Sequence, residues 1–162
     1  MLQELKRDVI NGKRALNDAI TTALPLFHNK ISEHKVAYLV NEYQGYQNDA
    51  LDFYKRRTKD YPAYRIVDGQ MKVMMTATGE LAEIKHPLAK EPQLFISAPI
   101  AWVEESSHLG IDPTMVEMGE LGKLPNGLFV CVTSRNAMQR IVDVVRQSLL
   151  SFIDEAEMAQ PN

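Results

Sequence analysis

The spacing of apolar residues changes twice along this chain, and these changes constrain the fold more than any other feature. Near the amino end the apolar residues lie three or four positions apart, which predicts an amphipathic helix. They alternate with polar residues between Tyr64 and Ala77, as in half-buried strands. From Met138 to Ala156 the helical spacing returns and predicts a closing helix about 35 Å long. We therefore expect an α+β domain.

Local signals bound the helices at the amino end. The first stripe has Gly12 at its one missing position and consists of Leu2, Leu5, Val9, Leu16, Ala19, Ala23 and Leu26. It predicts one helix packed within the domain, although the same spacing also suits a coiled coil. Ser32 is a favourable N-cap for a second helix to about Gln44, and Gly45 is expected to end it in a left-handed conformation. These two helices form the expected N-terminal helix pair.

The middle of the chain predicts a small antiparallel sheet. Asp68 and Gly69 are expected to form a tight turn between two strands, and Thr78 with Gly79 a second turn. Another strand is expected at Leu128 to Val132, where the residues are apolar on both faces.

A helical connection is expected before that last strand. Ser97 is a candidate cap for a helix that reaches Gly110, and Asp112 followed by Pro113 predicts the start of another helix. The closing helix should begin at Thr133 or Ser134, and its apolar stripe needs the amino-terminal helices or the sheet as a partner. Phe152 is expected to be fully buried in that packing.

Length, charge and cysteine content exclude several classes of protein. A net charge of -3 over 162 residues makes nucleic acid an unlikely partner, although the run from Lys55 to Lys59 leaves a local phosphate contact as an alternative. The single Cys131 predicts a cytoplasmic protein without internal disulfides. No apolar segment approaches the roughly 18 residues of a membrane span, so no membrane partner is expected. The length fits one domain, residues 1–162, alone or within a larger protein.

Recognisable catalytic patterns are missing from the sequence. The four histidines are widely separated and the glycines occur singly, so no metal and no other cofactor is predicted. Glu104, His108 and Asp112 are spaced by four and would share a helix face, with an imidazole between two carboxylates. This polar cluster is either a ligand-binding or catalytic group or a solvated helix end. The prediction is that the protein is not an enzyme.

Several segments in order resemble a known family. Asn41-Glu42-Tyr43-Gln44-Gly45-Tyr46 closes a helix, and Pro62-Ala63-Tyr64-Arg65 leads into a strand. The closing helix carries Ile141-Val142-Asp143-Val144-Val145-Arg146, an apolar step with Phe152 and an acidic end. Together these segments resemble the AbiTii domain of bacterial abortive-infection and anti-phage systems.

The resemblance implies a non-enzymatic regulatory or interaction domain of an anti-phage defence module. It would act by oligomerisation or by sensing a partner, through a surface built by the first and last helices. One alternative is a small-molecule or nucleotide-responsive sensor with hydrolytic capacity. A further alternative is a phage structural protein of similar α+β form.

Arg65 and Arg146 are the candidate contacts for an anion or a partner. Each places a planar cation in an otherwise apolar element, and a structural ion pair is the competing interpretation. The expected partners are a second copy of the chain, in a homodimer formed through helical surface, and an effector or sensor protein of the same module.

Overall fold

The computed structural model of the protein describes residues 1–46, 62–83, 93–108, 114–117, 123–124 and 127–159. Its helices are α1 (Leu2–Asn11), α2 (Leu16–Leu26), α3 (Glu33–Gln44), α4 (Ile100–Ser107) and α5 (Arg135–Met158). A 3-10 turn at Ala63–Arg65 precedes the strands β1 (Ile66–Met75), β2 (Leu81–Glu83), β3 (Gln93–Phe95), β4 (Thr114–Glu117), β5 (Lys123–Leu124) and β6 (Gly127–Thr133). The predicted α+β class, with an antiparallel sheet and a long C-terminal helix, is confirmed.

The chain divides into two compact units. The helical unit comprises Met1–Gln47, Ser97–Ser107 and Met138–Asn162, and the sheet unit comprises Asn48–Ile96 and His108–Ala137. The core of the helical unit is formed by apolar side chains from all five helices. Its residues include Leu5, Val9, Leu16, Ile20, Phe27, Leu39, Ile100, Val103, Ile141, Val145, Leu149 and Ile153.

The amino-terminal stripe forms two helices instead of the single helix predicted. α1 ends at Asn11 because Gly12 adopts a left-handed conformation, with a φ of 68°. The Lys13 N–H then donates to the carbonyl oxygen of Asp8 at 3.0 Å, which closes the end of the helix. α2 begins only a few residues later and buries further apolar residues of the same stripe. The helical spacing of apolar residues therefore continues across the break between α1 and α2.

The boundaries of α3 follow the predicted signals in part. Ser32 is the N-cap, and its hydroxyl accepts a hydrogen bond from the Lys35 N–H at 3.3 Å, as predicted. Gly45 ends the helix with φ 89° and ψ 174°, which is not the left-handed helical conformation that we expected. The next residue, Tyr46, donates its N–H to the carbonyl oxygen of Ser97 at 2.7 Å, so the chain leaves α3 in an extended form.

The closing helix α5 packs against the amino-terminal helices, as predicted. Its Asp154 pairs with Lys6 of α1 at 2.6 Å, and the ring of its Phe152 meets Tyr38 of α3 edge to face with 5.9 Å between centroids. The prediction of full burial for Phe152 is wrong, because this ring is half-buried with Lys35 over one face. Leu149, one turn earlier, is fully buried, so its removal should cost more stability than that of Phe152.

The sheet unit is built around the pairing of β1 with β6. The strand order is β2-β1-β6-β4, with β3 paired to β1 and β5 paired to β6, and all pairs are antiparallel. β1 pairs with β6 from Gly69 opposite Thr133 to Met75 opposite Gly127. The predicted strand at Leu128–Val132 is therefore confirmed, and the predicted turn at Thr78 and Gly79 joins β1 to β2.

Two predicted features of this region are wrong. Asp68 and Gly69 form no turn, because β1 continues through them and pairs Asp68 with Gln93 and Gly69 with Thr133. Asp112 and Pro113 lie outside the described residues, but Thr114 begins a strand where a helix was expected. In both cases, ladder hydrogen bonds to a distant strand outweigh the local sequence signal.

Candidate functional site

Glu104 is placed by the short helix α4 and is almost completely buried, at 8% exposure. Its Oε1 accepts a hydrogen bond from the Leu16 N–H at 2.9 Å. Leu16 is the first residue of α2, and the N-cap residue Ala15 has no side-chain oxygen to satisfy that amide. Glu104 therefore caps α2 from 88 residues away, where the positive end of the helix favours a carboxylate.

Arg146 lies beside the second oxygen of the same carboxylate. Its Nη2 is 3.8 Å from Oε2 of Glu104, and its Nη1 is 3.4 Å from Oδ1 of Asp143 on the same helix. The Arg146 side chain is 27% exposed. The anion next to Arg146 is thus supplied by the chain itself, and the structure brings Arg146 and Glu104 together as a structural cluster that joins α2, α4 and α5.

The predicted cluster of Glu104, His108 and Asp112 does not share one helix face. α4 ends at Ser107, so His108 lies beyond the helix, and it is exposed. Asp112 lies outside the described residues. The interpretation of Glu104 as part of a solvated helix end is also wrong, because the carboxylate is buried. The hydroxyl of Ser107 donates to the Glu104 carbonyl oxygen at 2.6 Å, so this serine is held by the helix.

Arg65 belongs to the sheet unit and is fully buried. Its Nη1 donates to the carbonyl oxygen of Ile96 at 2.8 Å, and the Ile96 N–H donates to the Arg65 carbonyl oxygen at 2.8 Å. These bonds extend the pairing of β1 with β3, in which Ile66 lies opposite Phe95. A buried guanidinium that fixes a strand end is positioned for a structural role.

A groove that no sequence pattern predicted lies along α1. The groove has a volume of about 310 Å³ and is lined by Gln3, Lys6, Arg7, Ile10, Asn11 and Glu157. The α1 residues lie three, four and seven positions apart, which places them on one helix face, next to the buried stripe of Leu2, Leu5 and Val9. Only the exposed Ile10, in a polar stretch, could have pointed to it.

Among the charged groups of this groove, Lys6 forms an ion pair, whereas Arg7 and one oxygen of Glu157 have no partner among the described residues. Asp154 raises the pKa of Lys6 above its ordinary value, first through their hydrogen bond and then through its charge, with a smaller contribution from Glu157. Because the folded pKa is raised, this contribution to stability is complete at neutral pH and is lost only as the pH rises through the pKa of Lys6. Oε1 of Glu157 is buried without a hydrogen-bond partner among the described residues. No described acidic group forms an ion pair with Arg7.

Metal-ion sites and membrane-spanning helices are two further kinds of feature that concern the residues described by the structure. These residues contain no group of three His, Cys, Asp or Glu side chains arranged to hold a metal ion. None of the helices described is long and apolar enough to cross a membrane. No protein-family model, curated protein or solved structure matches the chain.

The capping role of Glu104 leads to a stability prediction. Glu104→Ala should lower the free energy of unfolding by about 2–3 kcal/mol, because the Leu16 amide is left unsatisfied in the interior and Arg146 loses a partner. Glu104→Gln keeps an acceptor for Leu16 and should lose about half as much. Urea unfolding followed by the fluorescence of Trp102 measures both. Glu105→Ala, at the exposed neighbouring position, is the matched control. Equal stability of Glu104→Ala and Glu105→Ala would contradict the capping role.

Proposed function

We propose that this chain is a non-enzymatic interaction domain of a bacterial anti-phage defence module and acts in the cytoplasm. It would regulate by self-association and by contact with an effector or sensor protein of the same module. The order of Asn41–Tyr46, Pro62–Gly69 and the closing helix, which resembles the AbiTii domain, supports this assignment. The single Cys131 supports the compartment.

The proposal rests mainly on the contacts that the predicted site residues make within the chain. Glu104 caps α2, Arg146 faces Glu104 and Asp143, and Arg65 binds the Ile96 carbonyl. Of the candidate side chains that the structure describes, these three are engaged by the fold, and His108 is exposed beyond the end of α4. A catalytic site needs groups directed at a substrate position, and these three groups are directed at the chain itself.

The remaining surface of α1 favours an interaction role. Ile10 is 58% exposed, and the groove around it carries charges of both signs. A mixed apolar and charged face of this kind is typical of protein contacts. The same groove favours the second candidate function, a small-molecule sensor, because its volume is near the lower end for ligand pockets.

The proposal predicts no turnover by the purified protein. Nucleoside triphosphates, single-stranded RNA and duplex DNA should remain intact after incubation with the protein and Mg²⁺, as measured by chromatography and gel electrophoresis. Turnover that is abolished in His108→Ala and in the folded Glu104→Gln variant would contradict the proposal and favour an enzymatic sensor. Turnover unchanged in both variants would indicate a contaminating enzyme, which a second purification should remove.

A further inference from the structure

We propose that the groove on α1 is the contact surface of a two-fold homodimer, in which Arg7 of each copy pairs with Glu157 of the other. This inference rests on the proposed function and specifies its partner. Both residues line the groove together with Ile10, and they bring opposite charges to one surface.

Glu157 is the groove residue with a carboxylate oxygen that lacks a hydrogen-bond donor among the described residues. One of its carboxylate oxygens is shielded from water and accepts no hydrogen bond from any residue that the structure describes. Leaving such an atom unpaired is unfavourable, and more so in a charged group. Because Oε1 is shielded by the chain itself, a donor from outside would pair with the carboxylate once the Glu157 side chain turns outward into the groove that it lines.

Arg7 is the groove residue with a cation that lacks an acidic partner among the described residues. Its side chain is exposed, and it has no acidic partner within the described ranges, whereas the neighbouring Lys6 is already held by Asp154. A guanidinium binds a carboxylate through two parallel hydrogen bonds when one is offered in its plane. The groove therefore carries one unmatched donor and one unmatched acceptor.

A second copy of the chain satisfies both groups at once. A small anion would bind Arg7 but would be repelled by Glu157 and Asp154, and a basic peptide would bind Glu157 but leave Arg7 unpaired. In a two-fold contact the same patch meets itself, so Arg7 meets Glu157 twice. Among these occupants the charge pattern therefore favours the second copy.

The apolar residues near the groove fit the same arrangement. Ile10 is 58% exposed within the groove, and Met158, which follows Glu157 at the end of α5, is 87% exposed. Protein contacts place apolar side chains at the centre and charged groups at the rim. Ile10 is then expected at the centre, with the two Arg7 to Glu157 pairs beside it.

Charge exchange tests the arrangement with the full chain. Arg7→Glu places two acidic groups opposite each other, and Glu157→Arg places two basic groups opposite each other. Each single variant should raise the dimer dissociation constant by roughly a hundredfold in sedimentation velocity at low salt. The double variant R7E/E157R, and an equimolar mixture of the two single variants, should both restore the dimer. Arg140→Glu, an exposed cation elsewhere on α5, is the matched control.

The outcomes separate this inference from the function on which it rests. Restoration in the mixture and in the double variant supports reciprocal pairing. A wild-type dimer that both single variants retain unchanged would contradict the groove as the contact surface and leave the interaction function standing. A lower melting temperature of the single variants with no change in mass would also contradict it, since the groove would then bind a segment of the same chain. A wild-type protein that is monomeric at all concentrations would contradict the dimer altogether.

Discussion

Replacement of Arg65 by alanine is expected to lower the free energy of unfolding by about 3 kcal/mol or more. The side chain is fully buried, and its guanidinium donates to the Ile96 carbonyl at 2.8 Å. Alanine removes this charged hydrogen bond and the packing of the long aliphatic stem, and leaves a cavity. The midpoint of urea unfolding, followed by far-ultraviolet circular dichroism, measures the loss.

Two further substitutions determine which part of Arg65 matters. Arg65→Met keeps most of the volume but none of the donors, so the remaining loss measures the hydrogen bonds of the guanidinium. Arg140→Ala removes an exposed arginine and should change stability by less than about 0.5 kcal/mol. If Arg65→Ala were as stable as Arg140→Ala, the buried guanidinium would have no structural role, and a binding role for Arg65 would gain support.

Gly45→Ala is the second substitution with a large expected effect, a loss of roughly 2–5 kcal/mol. Gly45 has a φ of 89°, and an added Cβ would lie 2.9 Å from both the Pro99 nitrogen and the Ser97 carbonyl oxygen. Both are backbone atoms, so neither can move aside as a side chain does. The adjacent hydrogen bond from the Tyr46 N–H to the Ser97 oxygen would be strained as well.

Gly12 is a control for a positive φ without crowding. It has a similar positive φ of 68°, but no atom lies within 4 Å of an added Cβ. Gly12→Ala should therefore cost only the conformational penalty, about 1–2 kcal/mol. The difference between the two variants in urea unfolding measures the close approach at Gly45 together with the backbone strain of its ψ of 174°, a conformation that glycine alone adopts readily. Equal losses would contradict the tight contact of this segment with Ser97 and Pro99.

The sequence predicted features that depend on local interactions. Ser32 caps α3 through its own hydroxyl, and Ser134 accepts from the Ala137 N–H at the start of α5. In both cases donor and acceptor are three residues apart, so the signal is contained in a short segment. The long helix α5 could also be predicted, because its apolar residues are regularly spaced.

Features that depend on distant partners were missed. The cap on α2 comes from Glu104, which is 88 residues away in the sequence, and nothing near Ala15 indicates it. The strand through Asp68 and Gly69 forms because β3 pairs with Asp68 and β6 pairs with Gly69. Sequence patterns identified Arg65, Arg146 and Glu104 as unusual but could not supply their partners.

In the candidate site too, local features could be predicted from the sequence and distant contacts could not. The three identified side chains are polar groups in apolar elements, a pattern that suits an anion site and a structural ion pair equally well. The structure engages them internally, with Glu104 and Arg146 in contact and Arg65 on a strand end. The groove around Arg7, Ile10 and Glu157 joins two ends of the chain, so its formation could not be read from either end alone.

Sedimentation equilibrium of the purified wild-type chain tests the interaction function most directly. We expect a reversible change across micromolar concentrations from the monomer mass of 18.4 kDa to twice that value. A single species of monomer mass over the whole range would contradict self-association.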